Sequence, residues 1–149
     1  MGSIINLYTV KLVKETSVRY DYERKIKTPE DAVRILRTVL ELQDEPVEKF
    51  GILTLDTKNR VIGVHIISVG TLNSAMVHPR EIFKAAILNN AASIICFHNH
   101  PSGDPSPSPE DMDVTRRVVE SGKMLGIDVL DHVIIGDPRY VSLREMGCI

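Results

Sequence analysis

Apolar and polar positions follow two rhythms along this chain, and the switches between them mark out its elements. Residues 4–13 set Tyr8, Val10 and Leu12 against Thr9 and Lys11, a period of two that predicts a strand. Residues 19–27 are mostly charged and either extend that strand or form a polar loop. At Thr28 the rhythm changes. Thr28 is a good N-cap, Pro29 suits the first helical position and Asp31 adds an acid to the first turn. Ala32, Val33, Leu36, Val39 and Leu40 then recur at helical spacing to about Gln43, where Asp44-Glu45-Pro46 breaks the helix. Two apolar runs, 50–55 and 61–69, predict strands joined by a hairpin loop at 56–60. A polar linker at 70–77 leads to His78-Pro79-Arg80-Glu81, which opens a helix with Ile82, Phe83, Ala86 and Ile87 on one face.

The second half repeats the pattern around one unusual loop. Residues 93–97 form a buried strand, and residues 109 to about 125 form a helix with Gly126 as its C-cap. Strands at 127–135 and 140–143 flank the turn Gly136-Asp137-Pro138-Arg139. The predicted order is β-α-β-β-α-β-α-β-β, which implies one α/β domain with helices on both faces of a mixed sheet. The lead-in at 1–27 is expected to belong to the same domain as 28–149.

Composition narrows the function classes. The chain has 149 residues, 43% hydrophobic and 26% charged, enough for one domain with a substantial core and no tryptophan in it. The formal net charge of −2 gives no basic footprint for nucleic acid over the domain as a whole. Residues 1–28 nevertheless carry six Lys/Arg against three acids, a local +3 that leaves −5 for the remainder. Lysines guarding an exposed edge strand account for that excess, and a nucleic-acid patch is the alternative. Cys96 and Cys148 make no disulfide framework. Neither a signal peptide nor a membrane-length apolar run is present, so a reducing cytosol is the expected compartment and no membrane partner is expected.

The chemistry is concentrated between residues 98 and 111. His98 and His100 stand at i and i+2 at the end of an extended strand, which turns both imidazoles to one side. Asp111 follows in the first turn of the next helix. A His-His-Asp set with one open position is the arrangement of a catalytic zinc site, the open position holding a water acidified by the metal. Simpler readings stand beside this one. Ser108-Pro109-Glu110-Asp111 is also a good capping box, and histidines at a strand end can be ordinary loop residues. Cys96, two residues before His98, reads as a buried small hydrophobe, with ligation as the less favoured reading. His65, His78 and His132 read as structural. The tripeptide His98-Asn99-His100 does not match the H-N-H nucleases, whose letters come from residues scattered over a ββα-metal unit. Glu48, by itself, is one acid near a proline.

Taken together, His98-x-His100, seven residues, Ser108, two residues and Asp111 resemble the JAMM motif (H-x-H-x7-S-x2-D) of the JAB/MPN metalloprotease domains. Glu48-Lys49-Phe50-Gly51-Ile52-Leu53 is similar to the E-x-x-G-x-L pattern that opens a strand upstream in those domains. The stretches 78–83, 98–108 and 130–136 resemble the RadC branch, and the likeness covers about residues 28–145. It implies a three-layer α/β/α fold of the cytidine-deaminase-like type. It also implies one Zn2+ per chain held by His98, His100 and Asp111, with Glu48 as general base and Ser108 as oxyanion donor. The implied activity is hydrolysis of peptide or isopeptide bonds in a protein or peptide substrate. Two alternatives remain: a non-catalytic JAB-fold interaction module, and a DNA-associated or DNA-repair accessory protein. Longer RadC proteins carry a helix-hairpin-helix segment where this sequence has its lead-in.

Overall fold

The computed structural model describes residues 1–70 and 77–149. Its first helix, α1 (Pro29–Val39), starts at the expected cap, where Asp31 Oδ2 accepts the amides of Lys27 (2.8 Å) and Thr28 (2.9 Å). It stops short of Gln43. Glu41 adopts a left-handed conformation (φ 49°), and a 3-10 turn at Leu42–Asp44 swings Leu42 into the core with no exposed surface.

The strands β1 (Lys49–Leu55) and β2 (Val61–Val69) form the predicted antiparallel hairpin. Next come α2 (Pro79–Leu88), β3 (Ser93–Asn99), α3 (Pro109–Leu125), β4 (Asp128–Ile135) and β5 (Tyr140–Ser142). The sheet order is β2-β1-β3-β4-β5, with β3 antiparallel to β1 and parallel to β4. Side chains leave each strand alternately to the two faces. Leu53, Leu55, Ile95, Phe97, Val133 and Ile135 pack with α1 on one face. Phe50, Ile52, Ile94, Cys96 and Val129 pack with α2 and α3 on the other. This is the three-layer α/β architecture with a mixed sheet that the sequence predicts. Every residue of the central strand β3 is buried, which is why it reads as an unbroken apolar run.

Gly51 is required by this packing. A Cβ there would lie 2.3 Å from the His65 carbonyl oxygen and 2.5 Å from the Phe97 ring. On α2, Ile82, Phe83 and Ala86 are buried as expected, while Ile87 is 55% exposed. Five positions after Ile82, a helix has turned about 140° away from it.

The N-terminal strand does not form. Residues 4–13 make no strand pairing among the described residues, and Ile4 and Leu7 are 91% and 98% exposed. Alternation supplies a face but no partner, and without a neighbouring strand the backbone groups bond to water instead. Lys11 and Lys14 therefore lie on an exposed arm and not on an edge strand. Of the charged stretch 19–27, residues 24–26 join the hairpin loop: Val61 N donates to Arg24 O (3.0 Å) and Ile26 N to Asn59 O (2.9 Å). The linker expected at 70–77 falls largely on residues 71–76, outside the described residues.

Candidate metal centre

Three local devices bring the site together at the C-terminal end of β3. Alternation puts His98 on the α2/α3 face, below which lie Ile94 and Cys96. His100 lies just past the strand, where its amide still donates to Ile135 O at 2.9 Å. The loop that follows is pinned to the end of β4, with Gly103 N bonded to His100 O (2.9 Å) and Asp137 N to Gly103 O (3.0 Å). A Cβ at Gly136 would come within 2.3 Å of the Gly103 carbonyl, so only glycine admits that approach. Finally, Ser108 caps α3. Asp111 N donates to Ser108 Oγ (3.1 Å) and Ser108 N to Asp111 Oδ2 (2.8 Å). The capping reading of these two residues is thus realised, and the same cap aims the Asp111 carboxylate at the histidines.

His98 Nε2 is 3.0 Å from Asp111 Oδ1, and His100 Nε2 is 3.1 Å from Asp111 Oδ2. The two Nε2 atoms are 3.0 Å apart. Glu48 Oε1 stands 3.9 Å from His100 Nε2, and one ligand atom from each of Glu48, His98 and His100 falls within a 4.8 Å span. Burial alone would raise the pKa of Asp111. The contacts with His100 and His98 outweigh it and hold the carboxyl well below the usual range. The same contact with Asp111, reinforced by the Asp104 carbonyl, raises the pKa of His100.

The donor set fits a metal ion. On the side away from the cluster, His100 Nδ1 lies 2.8 Å from Asp104 O, a pure acceptor, so that nitrogen carries the proton. Nε2 of the neutral ring then presents a lone pair toward Asp111 and His98. Lone pairs and carboxylate oxygens crowded at about 3 Å need a cation or protons between them. Ligands bound at about 2.0–2.1 Å in a tetrahedron are about 3.3 Å apart, a few tenths more than the spacings seen. His98 and His100 are the shared donors of such a site, with Glu48 within the same span and Asp111 in contact with both.

The remaining candidates are placed elsewhere. His78 caps α2, accepting from Arg80 N at 3.2 Å. His65 pairs with Asn89 Oδ1 at 2.8 Å. Burial drives the Cys96 thiol pKa far up, and the residue packs in the apolar cluster with Ile94 and Val114. A groove of about 1040 Å³ lies between the N-terminal arm, β2 and α2, and is lined by none of Glu48, His98, His100, Ser108 or Asp111.

Two residues escaped the sequence reading. His132, read as structural, is fully buried on β4 behind His98, with His132 Nε2 2.7 Å from His98 Nδ1. Burial, then the neighbouring His98, holds its pKa well below the ordinary value, so the ring is neutral. Thr115 lies one helical turn after Asp111 and joins the two: its hydroxyl donates to Asp111 O (2.8 Å) and lies 2.5 Å from His132 Nδ1. The i, i+4 spacing of Asp111 and Thr115 and a lone histidine in an apolar strand were the available signals.

The spacing read from the sequence is here a spatial cluster, and a match to the RadC-like JAB domain extends over residues 26–148. The chain belongs to the RadC family. A UPF0758 protein of Methanosarcina mazei is 51% identical over 127 residues, 85% of this chain and 55% of that protein. One from Desulfitobacterium hafniense is 54% identical over 124 residues, and one from Bacillus cereus 52% over 134 residues. The chain thus spans a little over half the length of these curated RadC relatives. No helix among the described residues is long and apolar enough to cross a membrane.

Proposed function

We propose that this RadC-family domain is a zinc-dependent hydrolase of the JAMM type that cleaves peptide or isopeptide bonds in a protein or peptide substrate. The observation that carries the reading is the convergence of His98 Nε2, His100 Nε2 and both Asp111 carboxylate oxygens at 3.0–3.1 Å, with Glu48 set back at 3.9 Å. Zinc, when bound, supplies an acidified water and a Lewis acid for the substrate carbonyl.

The protein's own groups have separate tasks. His98, His100 and Asp111 hold the ion. Glu48 is too far from His100 for a hydrogen bond and stands beside the histidine nitrogens, where it would meet a metal-bound water, which suits a general base. Its carboxylate would take the water proton and return it to the leaving amine. Ser108 Oγ accepts in the helix cap and still has a proton to give. It would donate that proton's hydrogen bond to the oxyanion of the tetrahedral intermediate.

Elemental analysis of the purified protein tests the metal, with about one zinc per chain expected. His98→Ala should lose the ion. Glu48→Ala should keep it and lose roughly 10²–10⁴ in turnover on a peptide and isopeptide panel. Wild-type protein that neither retains zinc nor responds to added zinc would overturn the reading.

A further inference from the structure

We infer that His132 and Thr115 are positioning residues that fix the proton of His98 on Nδ1 and so keep its Nε2 lone pair aimed at the metal. The purpose assigned to that lone pair rests on the zinc reading above. The proton assignment itself does not.

Each hydrogen in the chain of contacts has one place to go. The Thr115 hydroxyl has one hydrogen and two neighbours, Asp111 O at 2.8 Å and His132 Nδ1 at 2.5 Å. The carbonyl can only accept, so the hydroxyl hydrogen goes there. Thr115 Oγ1 must then accept from His132, which places the proton of that ring on Nδ1. With its Nδ1 proton given to Thr115, the buried His132 ring presents Nε2 as the acceptor on its other side. The donor facing it is His98 Nδ1, at 2.7 Å. His98 therefore carries a proton on Nδ1, and in its neutral form only Nε2 is left to bind an ion.

The relay runs from the backbone of one candidate ligand to the ring of another. Asp111 and Thr115 share α3, His132 belongs to β4 and His98 to β3, so three elements must dock for the tautomer to be set. Phe50 closes the apolar side, its ring 5.6 Å from that of His132 and edge-on to it. Such outer partners of metal-bound histidine hold the ring's orientation and raise its basicity, and their loss costs about 10–100-fold in metal affinity. His100 has only a carbonyl behind it, that of Asp104. A carbonyl fixes the tautomer without further help, whereas an imidazole can accept only if its own proton is held elsewhere. That difference gives Thr115 its task.

Two measurements test the inference. The first is long-range ¹H–¹⁵N NMR of the histidine rings in metal-free wild-type protein near pH 8. His98 should carry a proton on Nδ1, and His132 should carry one on Nδ1 and none on Nε2. Free histidine in water favours the opposite tautomer, so this pattern is diagnostic. An unprotonated Nδ1 on His98, or a proton on Nε2 of His132, overturns the relay.

The second is zinc affinity by chelator competition, on variants whose circular dichroism matches wild type. His132→Phe should bind zinc about 10–100-fold more weakly. His132→Gln should recover most of that loss, because its amide oxygen can accept where Nε2 did. Thr115→Val, which leaves the ring in place, should weaken binding about 10-fold and serves if the Phe variant does not fold. Unchanged affinity in folded Phe and Val variants overturns the inference. Wild-type protein that binds no zinc overturns the hydrolase reading and the purpose given to the relay. The NMR result on metal-free protein still decides the proton assignment.

Discussion

Asn99 and Lys49 are 50 positions apart and meet through one hydrogen bond, the Lys49 amide donating to Asn99 Oδ1 at 2.7 Å. The other end of the same side chain donates to Val47 O at 3.1 Å and Glu45 O at 3.4 Å. Asn99 is 1% exposed and points to the face of β3 opposite His98. It therefore clamps both sides of Glu48 from the strand that ends at the candidate ligands.

Asn99→Ala should uncouple Glu48, the proposed general base, from the candidate metal site. The substitution leaves an amide and two carbonyls without this partner at a part-buried site, a cost of about 1 kcal/mol. Glu48 would lose its fixed approach, lowering turnover about 10²-fold while zinc affinity stays near wild type. Thermal melts, zinc titration and turnover on one preparation separate these effects. A parallel loss of zinc would place Asn99 among the supports of the ligands instead.

Ser108→Ala removes a cap and the proposed oxyanion donor together. The cap is worth about 1 kcal/mol, and an oxyanion donor about 10²–10³ in turnover. Ser108→Asn separates them, since its side-chain oxygen can still cap α3. The expected outcome is near-normal stability with turnover still depressed, measured by thermal melts and initial rates.

Asp31 makes the start of α1 sensitive to acid. Burial raises its pKa, but the amides of Lys27 and Thr28 outweigh that and lower it. An unfolded aspartate titrates near about 3.9. The stabilisation is thus complete above that value and is lost as pH falls through the lower folded pKa. Asp31→Asn should flatten this part of the profile in melts between about pH 2.5 and 6. Given its partial exposure the effect should be small, about 0.5 kcal/mol.

Gly51→Ala should cost about 1–3 kcal/mol, because the new methyl would meet the His65 carbonyl at 2.3 Å and the Phe97 ring at 2.5 Å. A lower denaturation midpoint at unchanged slope checks it.

Much of this protein is visible in its sequence. The Thr28 and Ser108 caps, the β1–β2 hairpin and the buried run of β3 are local events, set by neighbours in the chain. Such patterns also carry the spacing of His98, His100, Ser108 and Asp111, because β3, the loop and α3 are contiguous. The same local logic failed at residues 4–13, since alternation cannot say whether a partner strand will be there.

Tertiary structure decided what pairs distant residues. The β1–β3 register, Phe50 opposite His98, is what carries Glu48 to within 3.9 Å of His100. The parallel pairing of β3 with β4 puts His132 opposite Cys96 and its ring behind His98. The fold likewise turned Asn99, a bystander between two histidines in the sequence, into the clamp on Glu48. The physical reason is common to all three. A contact between groups on separate elements depends on strand register and layer packing, which the whole core fixes. The ligands lie close together in the chain, whereas the groups that orient them come from across the sheet.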